Sequence, residues 1–461
     1  MSVIPRNPST PPAMHPHDER YYDREDLAAE LRRTFQVCHE CRMCVNYCGS
    51  FPELFRRVDG AIDSGAAEGA EQIVQADVKA VADECWQCKL CYIKCPYTAD
   101  EGASELLDFP RLMARERAVR AREEGIALVD RILGEPQRVG KFGSGVMAPL
   151  ANFVTRNQLL RKIQEKVTGI SAEFRLPPMA RETFSRWLAQ HRPLEGAGER
   201  GELVLFATCY GEYNTPEVAR AAVLVLEHNG YTVRYSGSGA DRGDAMLTCC
   251  GLPNIDGGDV AAARRKIEHN VALLLPHVRA GRTIVVPGPS CGMMLKKEWY
   301  GYVPTPEVQE VAAGTLDLME FLVTLGKAKT LKREFPGKLG TVAYHAACHL
   351  RAQKIGFPGM RVLNVVPGTE VRMVEQCSAV DGTWGMKAAH YETGRKYAQK
   401  LVDGISEAEA DVVVSDCTLA GLRIVKENGV RVLHPVEALA RAYGLVHDPA
   451  AALPASESTS E

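Results

Sequence analysis

Eight of the fifteen cysteines fall in two copies of one spacing, Cys-x2-Cys-x2-Cys-x3-Cys. The first copy is Cys38, Cys41, Cys44 and Cys48; the second is Cys85, Cys88, Cys91 and Cys95, followed by Pro96. An iron–sulfur cube takes three closely spaced thiolates from one loop and a fourth from elsewhere. In duplicated runs of this kind, the fourth cysteine of each run serves the cluster of the other. The spacing therefore predicts one [4Fe–4S] cluster on Cys38, Cys41, Cys44 and Cys95, and a second on Cys85, Cys88, Cys91 and Cys48. A chain so equipped carries electrons.

Two other chemistries use clustered cysteines. Zinc sites take four ligands in paired clips, which leaves the third and fourth cysteine of each run surplus. Disulfide frameworks belong to oxidising compartments, and nothing at the N-terminus reads as a secretory signal. The first run departs from the bacterial ferredoxin pattern in one respect: Gly49, not proline, follows Cys48. That proline shapes the loop without ligating, so the departure alters little.

The other seven cysteines are Cys209, Cys249, Cys250, Cys291, Cys348, Cys377 and Cys417. They recur in step with a pattern of short β-branched runs and longer helical stretches, as βαβ units around a parallel sheet would give. Strands are expected at 203–208, 232–235 and 283–287, and again at 341–345, 371–375 and 411–415. Helices are expected at 215–229, 260–278 and 387–409, with Thr215-Pro216 opening the first as an N-cap and N1 pair. Open parallel sheets gather ligands beyond their strand C-terminal ends, so cysteines distant in sequence can meet there. Isolated cysteines are otherwise small buried hydrophobes.

The elements divide the chain into six stretches. A proline-rich leader, 1–20, and a polar tail, 447–461, read as disordered. Residues 21–125 form the helical two-cluster module, 126–200 a helical, amphipathic connector, 201–330 a first α/β domain and 331–446 a second. The fold class is multidomain α/β, with duplicated parallel-stranded domains. Net charge is −3, which carries no signature of nucleic-acid binding. No apolar run approaches the roughly 20 residues that span a bilayer.

Cys209-Tyr210, Cys249-Cys250-Gly251-Leu252-Pro253, Tyr344-His345-x-x-Cys348-His349, Gly382-Thr383-x-Gly385 and Asp416-Cys417 resemble the cysteine-rich CCG domains of the heterodisulfide reductase B subunit and its relatives. A two-cluster ferredoxin-like module joined to two CCG domains is similar to the C subunit of anaerobic glycerol-3-phosphate dehydrogenase; the glycolate oxidase iron–sulfur subunit is alike in outline. The resemblance implies an electron-transfer subunit, cytoplasmic or peripheral on the inner face of the cell membrane. It would take electrons from a flavoprotein dehydrogenase of glycerol-3-phosphate or 2-hydroxyacid type, and deliver them towards quinone.

The chain also departs from that pattern. Met294 stands where the first half should have a final Cys-x-x-Cys cysteine. The second half reads Cys377-Ser378-Ala379 for Cys-Cys-Gly, and Cys417-Thr418-Leu419-Ala420 for Cys-x-x-Cys. Neither half has the five thiolates that suit the disulfide-cleaving cluster. Cys209, Cys249, Cys250 and Cys291 suffice for a third iron–sulfur cluster or a zinc ion. Cys348, Cys377 and Cys417 are three thiolates, with His345 and His349 beside them for a Cys3His zinc site. That half otherwise reads as a scaffold or docking surface.

Three further features have two readings each. Arg111, Arg115, Arg117, Arg120 and Arg122 would steer an acidic redox partner or raise a cluster's potential; with Glu116, Glu123 and Glu124 they read equally as a solvated helix. Residues 146–170 alternate Leu150, Phe153, Val154, Leu159, Leu160, Ile163 and Val167 with Arg156, Arg161, Lys162 and Lys166, as for an anionic membrane surface or a helix packed on its own domain. Phe184, Trp187 and Leu188 extend either surface. Ser236-Gly237-Ser238-Gly239 reads as a turn, and no G-x-G-x-x-G follows a strand, which places flavin or nicotinamide on a partner. No catalytic centre emerges, so the chain reads as an oxidoreductase component not catalytic alone. The alternatives are a thiol or disulfide reductase centred on Cys250, a donor or acceptor for a soluble partner such as a diiron protein, and a redox or metal sensor.

Overall fold

The computed structural model describes residues 4–235 and 246–446. The expected turn at Ser236-Gly237-Ser238-Gly239 and the expected disordered tail lie outside these residues.

The N-terminal module is helical: α1 (Arg24–Cys41), α2 (Ser50–Asp63), α3 (Gln75–Asp83), α4 (Leu90–Lys94) and α5 (Phe109–Glu124). Its core is aromatic, with the Phe51 and Phe109 rings tilted against each other at 4.7 Å and Phe35 beside them. Asp108 caps α5 by accepting from the Arg111 amide, Pro110 sits in its first turn, and Gly125 ends it at φ 88°. Four short helices follow: α6 (Leu128–Leu133), α7 (Pro136–Gly143), α8 (Ala148–Arg156) and α9 (Gln158–Thr168).

The leader differs from the disordered segment expected of it. Ala13 is fully buried, Arg20 donates to the Pro11 carbonyl at 2.8 Å, and Arg115 donates to the Arg20 carbonyl at 2.6 Å. Prolines supply no N–H donors of their own, and arginine side chains, Arg20 of the leader and Arg115 of the module, serve its carbonyls instead.

The solvated-helix reading of α5 is likewise overturned. Arg115 and Arg117 are buried, and Arg117 donates to the carbonyls of Ala82 (2.6 Å) and Cys85. Arg120 pairs with Asp83 at 2.7 Å, and Arg111 reaches Glu298. Only Arg122 lies exposed, over the Tyr22 ring. α5 is a central strut, whose charges serve carbonyls and carboxylates inside the protein and leave little to steer a partner.

Two four-stranded parallel sheets follow. The first contains β1 (Glu202–Leu205), β2 (Thr232–Arg234), β3 (Thr283–Val286) and β4 (Thr315–Asp317), in the order β2-β1-β3-β4. The second contains β5 (Thr341–His345), β6 (Glu370–Val374), β7 (Val412–Ser415) and β8 (Val432–Leu433), in the order β6-β5-β7-β8. The orders are the same, and so are the roles: β1 and β5 each pair with the next two strands, Leu203 facing Val233 and Thr283, Val342 facing Val371 and Val412. The duplication expected from the cysteines is thus a duplication of topology. β4 and β8, the last strand of each sheet, were not among the expected strands.

One apolar core runs from the first sheet into the second, joining Val204, Val285 and Leu322 to Val342, Val414 and Val436. The core of the N-terminal module likewise takes in Ala379 and Trp384 of the second half. The Trp86 and Trp384 rings meet edge-on at 4.8 Å, and Trp384 donates to the Asp83 carbonyl at 2.7 Å.

Candidate iron–sulfur centres

Cys38 and Cys41 occupy the last turn of α1, and Arg42 ends that helix in the left-handed region at φ 52°. Lys89, at the equivalent place in the second run, has φ 61°. Both loops bend at the residue just after their second cysteine, and so present several thiols to one side. Cys91 lies within α4, and Cys95 just beyond its end.

The sulfurs fall into two groups. Burial pushes the Cys38 thiol well up, and the neighbouring Cys44, Cys95 and Cys41 push it further. Burial with Cys95 and Cys41 brings Cys44 up to about 12. In the second group burial again acts first, with Cys85 pressing on Cys48, and Cys88, Cys48 and Cys85 on Cys91. Each loop's fourth cysteine thus stands among the other loop's three. Thiols crowded in this way stay protonated alone and ionise on a bound metal, whose charge inverts the balance. The residues fit a cube in each place, which would supply one-electron storage within a rigid frame. The second group is the deeper: Cys48, Cys85, Cys88 and Cys91 are buried, while the other four are partly exposed. Gln87 Nε2 lies 3.4 Å from the Cys85 sulfur, and Arg117 draws the Cys85 thiol down against its burial.

In the first α/β half, Cys209 follows β1, Cys249 and Cys250 precede a short helix (Leu252–Asp256), and Cys291 lies in the helix after β3. All four meet. The Cys291 and Cys250 sulfurs are 3.4 Å apart, and Cys249 is held well down by thiols of Cys209 and Cys250 that donate to it, with Lys266 adding positive charge. Gly251, at φ 94°, turns the chain after the cysteine pair, where an added Cβ would touch Ala263. Thr208 carries φ 68°, an expensive conformation for a β-branched residue. Asn270 and Trp299 donate to the carbonyls of Cys249 and Cys250. Met294 is buried in the core.

A cavity of about 680 Å³ opens beside this group, lined by Gln137, Tyr213, Thr248, Lys266 and His269 among others. A smaller one shares Gln137, Tyr213 and Thr248 and reaches Cys209. None of these lining residues carries a motif; their place comes from α7 and the long helix Val260–Arg279 folding over the strand ends.

In the second half, Cys348, Cys377 and Cys417 follow β5, β6 and β7 and line one small cavity. His345 is engaged at both ring nitrogens, with Ser415 Oγ at 2.8 Å and the Gln376 carbonyl at 3.1 Å. His349 is engaged likewise, by Ser290 Oγ at 2.8 Å and the Gln87 carbonyl at 3.2 Å. Both rings are thus held in place by neighbours from distant segments, and ligand atoms of His349, Cys348 and Asp381 lie within 4.8 Å of one another. Asp381 lies in the same place and was not foreseen, since a lone aspartate has no pattern.

Two other expected surfaces also separate. Phe184 is fully buried and Trp187 packs under Arg220, so this segment seals the first half. On α8 and α9, Leu150, Phe153, Leu159, Ile163 and Val167 are exposed, with Val146 at 93% and Phe142 of α7 at 76%. Arg156, Lys162 and Lys166 flank them, whereas Arg161 turns inward to the Ser171 and Phe174 carbonyls. Among the described residues no helix is long and apolar enough to cross a membrane.

Comparison with known proteins agrees with this geometry. A family described as a 4Fe-4S dicluster domain matches residues 37–100, and one described as a cysteine-rich domain, CCG, matches 203–296 and 342–422. The chain is 27% identical to the C subunit of anaerobic glycerol-3-phosphate dehydrogenase of Escherichia coli K12, over 64% of its own length and 72% of that protein. It is 28% identical to the B subunit of fumarate reductase (CoM/CoB) of Methanothermobacter marburgensis, over 54% and 48% of the two chains. It is 27% identical to lactate utilization protein A of Bacillus cytotoxicus, over 52% and 98%. Paired sheets of one topology, a crossed eight-cysteine module and these matches lead to one conclusion: the chain belongs to the iron–sulfur proteins that join a 4Fe-4S dicluster module to CCG cysteine-rich domains.

Proposed function

We propose that this chain is the iron–sulfur electron-transfer subunit of a dehydrogenase complex, passing electrons between a flavoprotein and a quinone or comparable acceptor. The observation that carries this is the crossed grouping of Cys38, Cys41, Cys44 and Cys95 against Cys48, Cys85, Cys88 and Cys91. The partly exposed group faces a protein partner; the buried group passes electrons inward. Cys209, Cys249, Cys250 and Cys291 hold a third iron–sulfur cluster, and the adjoining cavity admits a small acceptor. Relatives named for glycerol 3-phosphate and lactate make a phosphorylated polyol or a 2-hydroxyacid the leading class of substrate for the flavoprotein.

The apolar stripe on α7–α9, flanked by Arg156, Lys162 and Lys166, rests on the anionic inner surface of the cell membrane. Such a position would bring quinone to the same side as the 680 Å³ cavity, which α7 lines through Gln137 and Lys141.

The test is anaerobic purification with iron, sulfide and zinc analysis and EPR. About eight irons per chain mean two cubes, each further cluster adds about four, and fewer than eight in loaded protein overturn the assignment. Co-purification then identifies the flavoprotein.

A second reading is favoured by the 3.4 Å approach of Cys250 and Cys291 beside an open cavity: a thiol–disulfide reductase. Disulfide reduction by the isolated chain that disappears in Cys250→Ser with the eight-cysteine clusters intact would establish it.

A further inference from the structure

We propose that Cys348, Cys377, Cys417 and Asp381 form a ligand set of three thiolates and one carboxylate that holds an additional iron–sulfur cluster in the second CCG half. The three cysteines stand at the C-terminal ends of β5, β6 and β7, the places that Cys209, Cys249–Cys250 and Cys291 occupy around β1, β2 and β3. They line a single cavity together with Asp381. A fourth thiol is lacking there, because Ser378 and Ala420 stand where cysteines would complete the motif.

Asp381 fills that gap. Its side chain is 4% exposed, and its Oδ1 lies 3.2 Å from His349 Nε2. Its Oδ2 is buried with no hydrogen-bond partner. An orphaned buried carboxylate oxygen is costly and calls for a ligand. Ligand atoms of Cys348, His349 and Asp381 lie within 4.8 Å of one another. His349 is not itself the ligand. A carbonyl cannot donate, so Nε2 carries the proton towards Gln87 and Asp381, and Nδ1 accepts from Ser290 Oγ. The histidine is a positioning residue: it fixes one carboxylate oxygen and leaves the other buried without a partner, as outer partners of metal ligands do.

The loop is shaped to this end. Ala379, Asp381 and Gly382 all have positive φ within four residues, at 48°, 24° and 53°. Such strain in non-glycine residues persists where surrounding structure holds it. Here Ala379 is locked in the core of the N-terminal module. The site also adjoins the second ferredoxin-type group, since Cys88 is among the neighbours of Cys348.

A carboxylate is a harder ligand than a thiolate, so the iron it holds is the one most readily lost. The inference rests on reading the chain as an iron–sulfur carrier. Its experiment uses the anaerobically purified full-length chain, with iron, sulfide and zinc analysis, EPR and Mössbauer spectra. Asp381→Asn is expected to lose about one iron per chain and to gain a three-iron signal, with the signals of the eight-cysteine module unchanged as the folding control. Asp381→Cys is expected to keep its full iron and resist that loss under mild oxidation. Cys348→Ala is expected to lower iron and sulfide together. Unchanged iron and spectra in both Asp381→Asn and Cys348→Ala, or loss of zinc in place of iron, overturn the site alone. Absence of the eight-cysteine signals from the wild-type chain overturns the underlying reading as well.

Discussion

His349 Nε2 lies 3.2 Å from the carbonyl oxygen of Gln87, the residue just before Cys88. One histidine after β5 therefore braces a ligand loop that lies more than two hundred residues earlier. Removing it strands a buried carbonyl and the Asp381 carboxylate together. His349→Ala is expected to cost about 2–4 kcal/mol, two buried polar groups at about 1–3 kcal/mol each less relaxation. It should broaden the EPR signal of the Cys85 group and spare that of the Cys38 group. Denaturant unfolding and EPR on one sample check both.

The crossed grouping makes a prediction that runs against sequence order. Cys95→Ser is expected to damage the cluster of Cys38, Cys41 and Cys44, and Cys48→Ser that of Cys85, Cys88 and Cys91. Selective loss of the signal belonging to a variant's own loop would reject the crossing.

Arg117 combines structure with electrostatics. It is buried and donates to the Ala82 and Cys85 carbonyls. Arg117→Met is expected to destabilise the chain by about 2–4 kcal/mol, through buried carbonyls left without donors. It should also lower the potential of the Cys85-group cluster, since a positive charge beside it is removed. Thermal unfolding and a redox titration followed by EPR measure the two effects.

Acid sensitivity is expected from His434, a buried residue that ties the halves together. Its Nε2 donates to the Pro287 carbonyl at 2.8 Å, and its Nδ1 accepts from the Val436 amide. Burial brings its pKa down to about 4. The unfolded chain, with histidine near 6.5, binds the proton first as pH falls. The neutral ring's contribution is therefore complete above pH ~6.5 and lost progressively down to ~4. His434→Gln should flatten the slope of stability against pH in that window; unfolding midpoints at stepped pH give the answer.

The apolar stripe predicts membrane binding. Leu150→Asp combined with Ile163→Asp is expected to weaken sedimentation with anionic vesicles roughly tenfold or more, at about 1–2 kcal/mol per side chain withdrawn from lipid. Both residues are exposed, so the fold should be unaffected. Equal binding by wild type and variant would remove the membrane from the proposal.

Local signals were legible where the physics is local. The cysteine spacing places three thiols on one loop whatever the surroundings, and the β-branched run 341–345 coincides with β5. Thr215-Pro216 opens a helix as expected. β4 and β8, at three and two residues, exist only because a neighbouring strand pairs with them.

Burial of charge was decided by partners far along the chain. Arg115 looked solvated among glutamates, yet the Tyr21 carbonyl more than ninety residues away takes it inside. His345 and His349 are held at both ring nitrogens by Ser415, Gln376, Ser290 and Gln87, partners that the local sequence does not name. The sequence by itself determined the eight-cysteine chemistry and the repeat of α/β units, because both are written in spacing. Only the tertiary structure decided which thiols meet, which arginines are buried, and that Asp381 stands among three cysteines, because those depend on strand ends and loops brought together from distant parts of the chain.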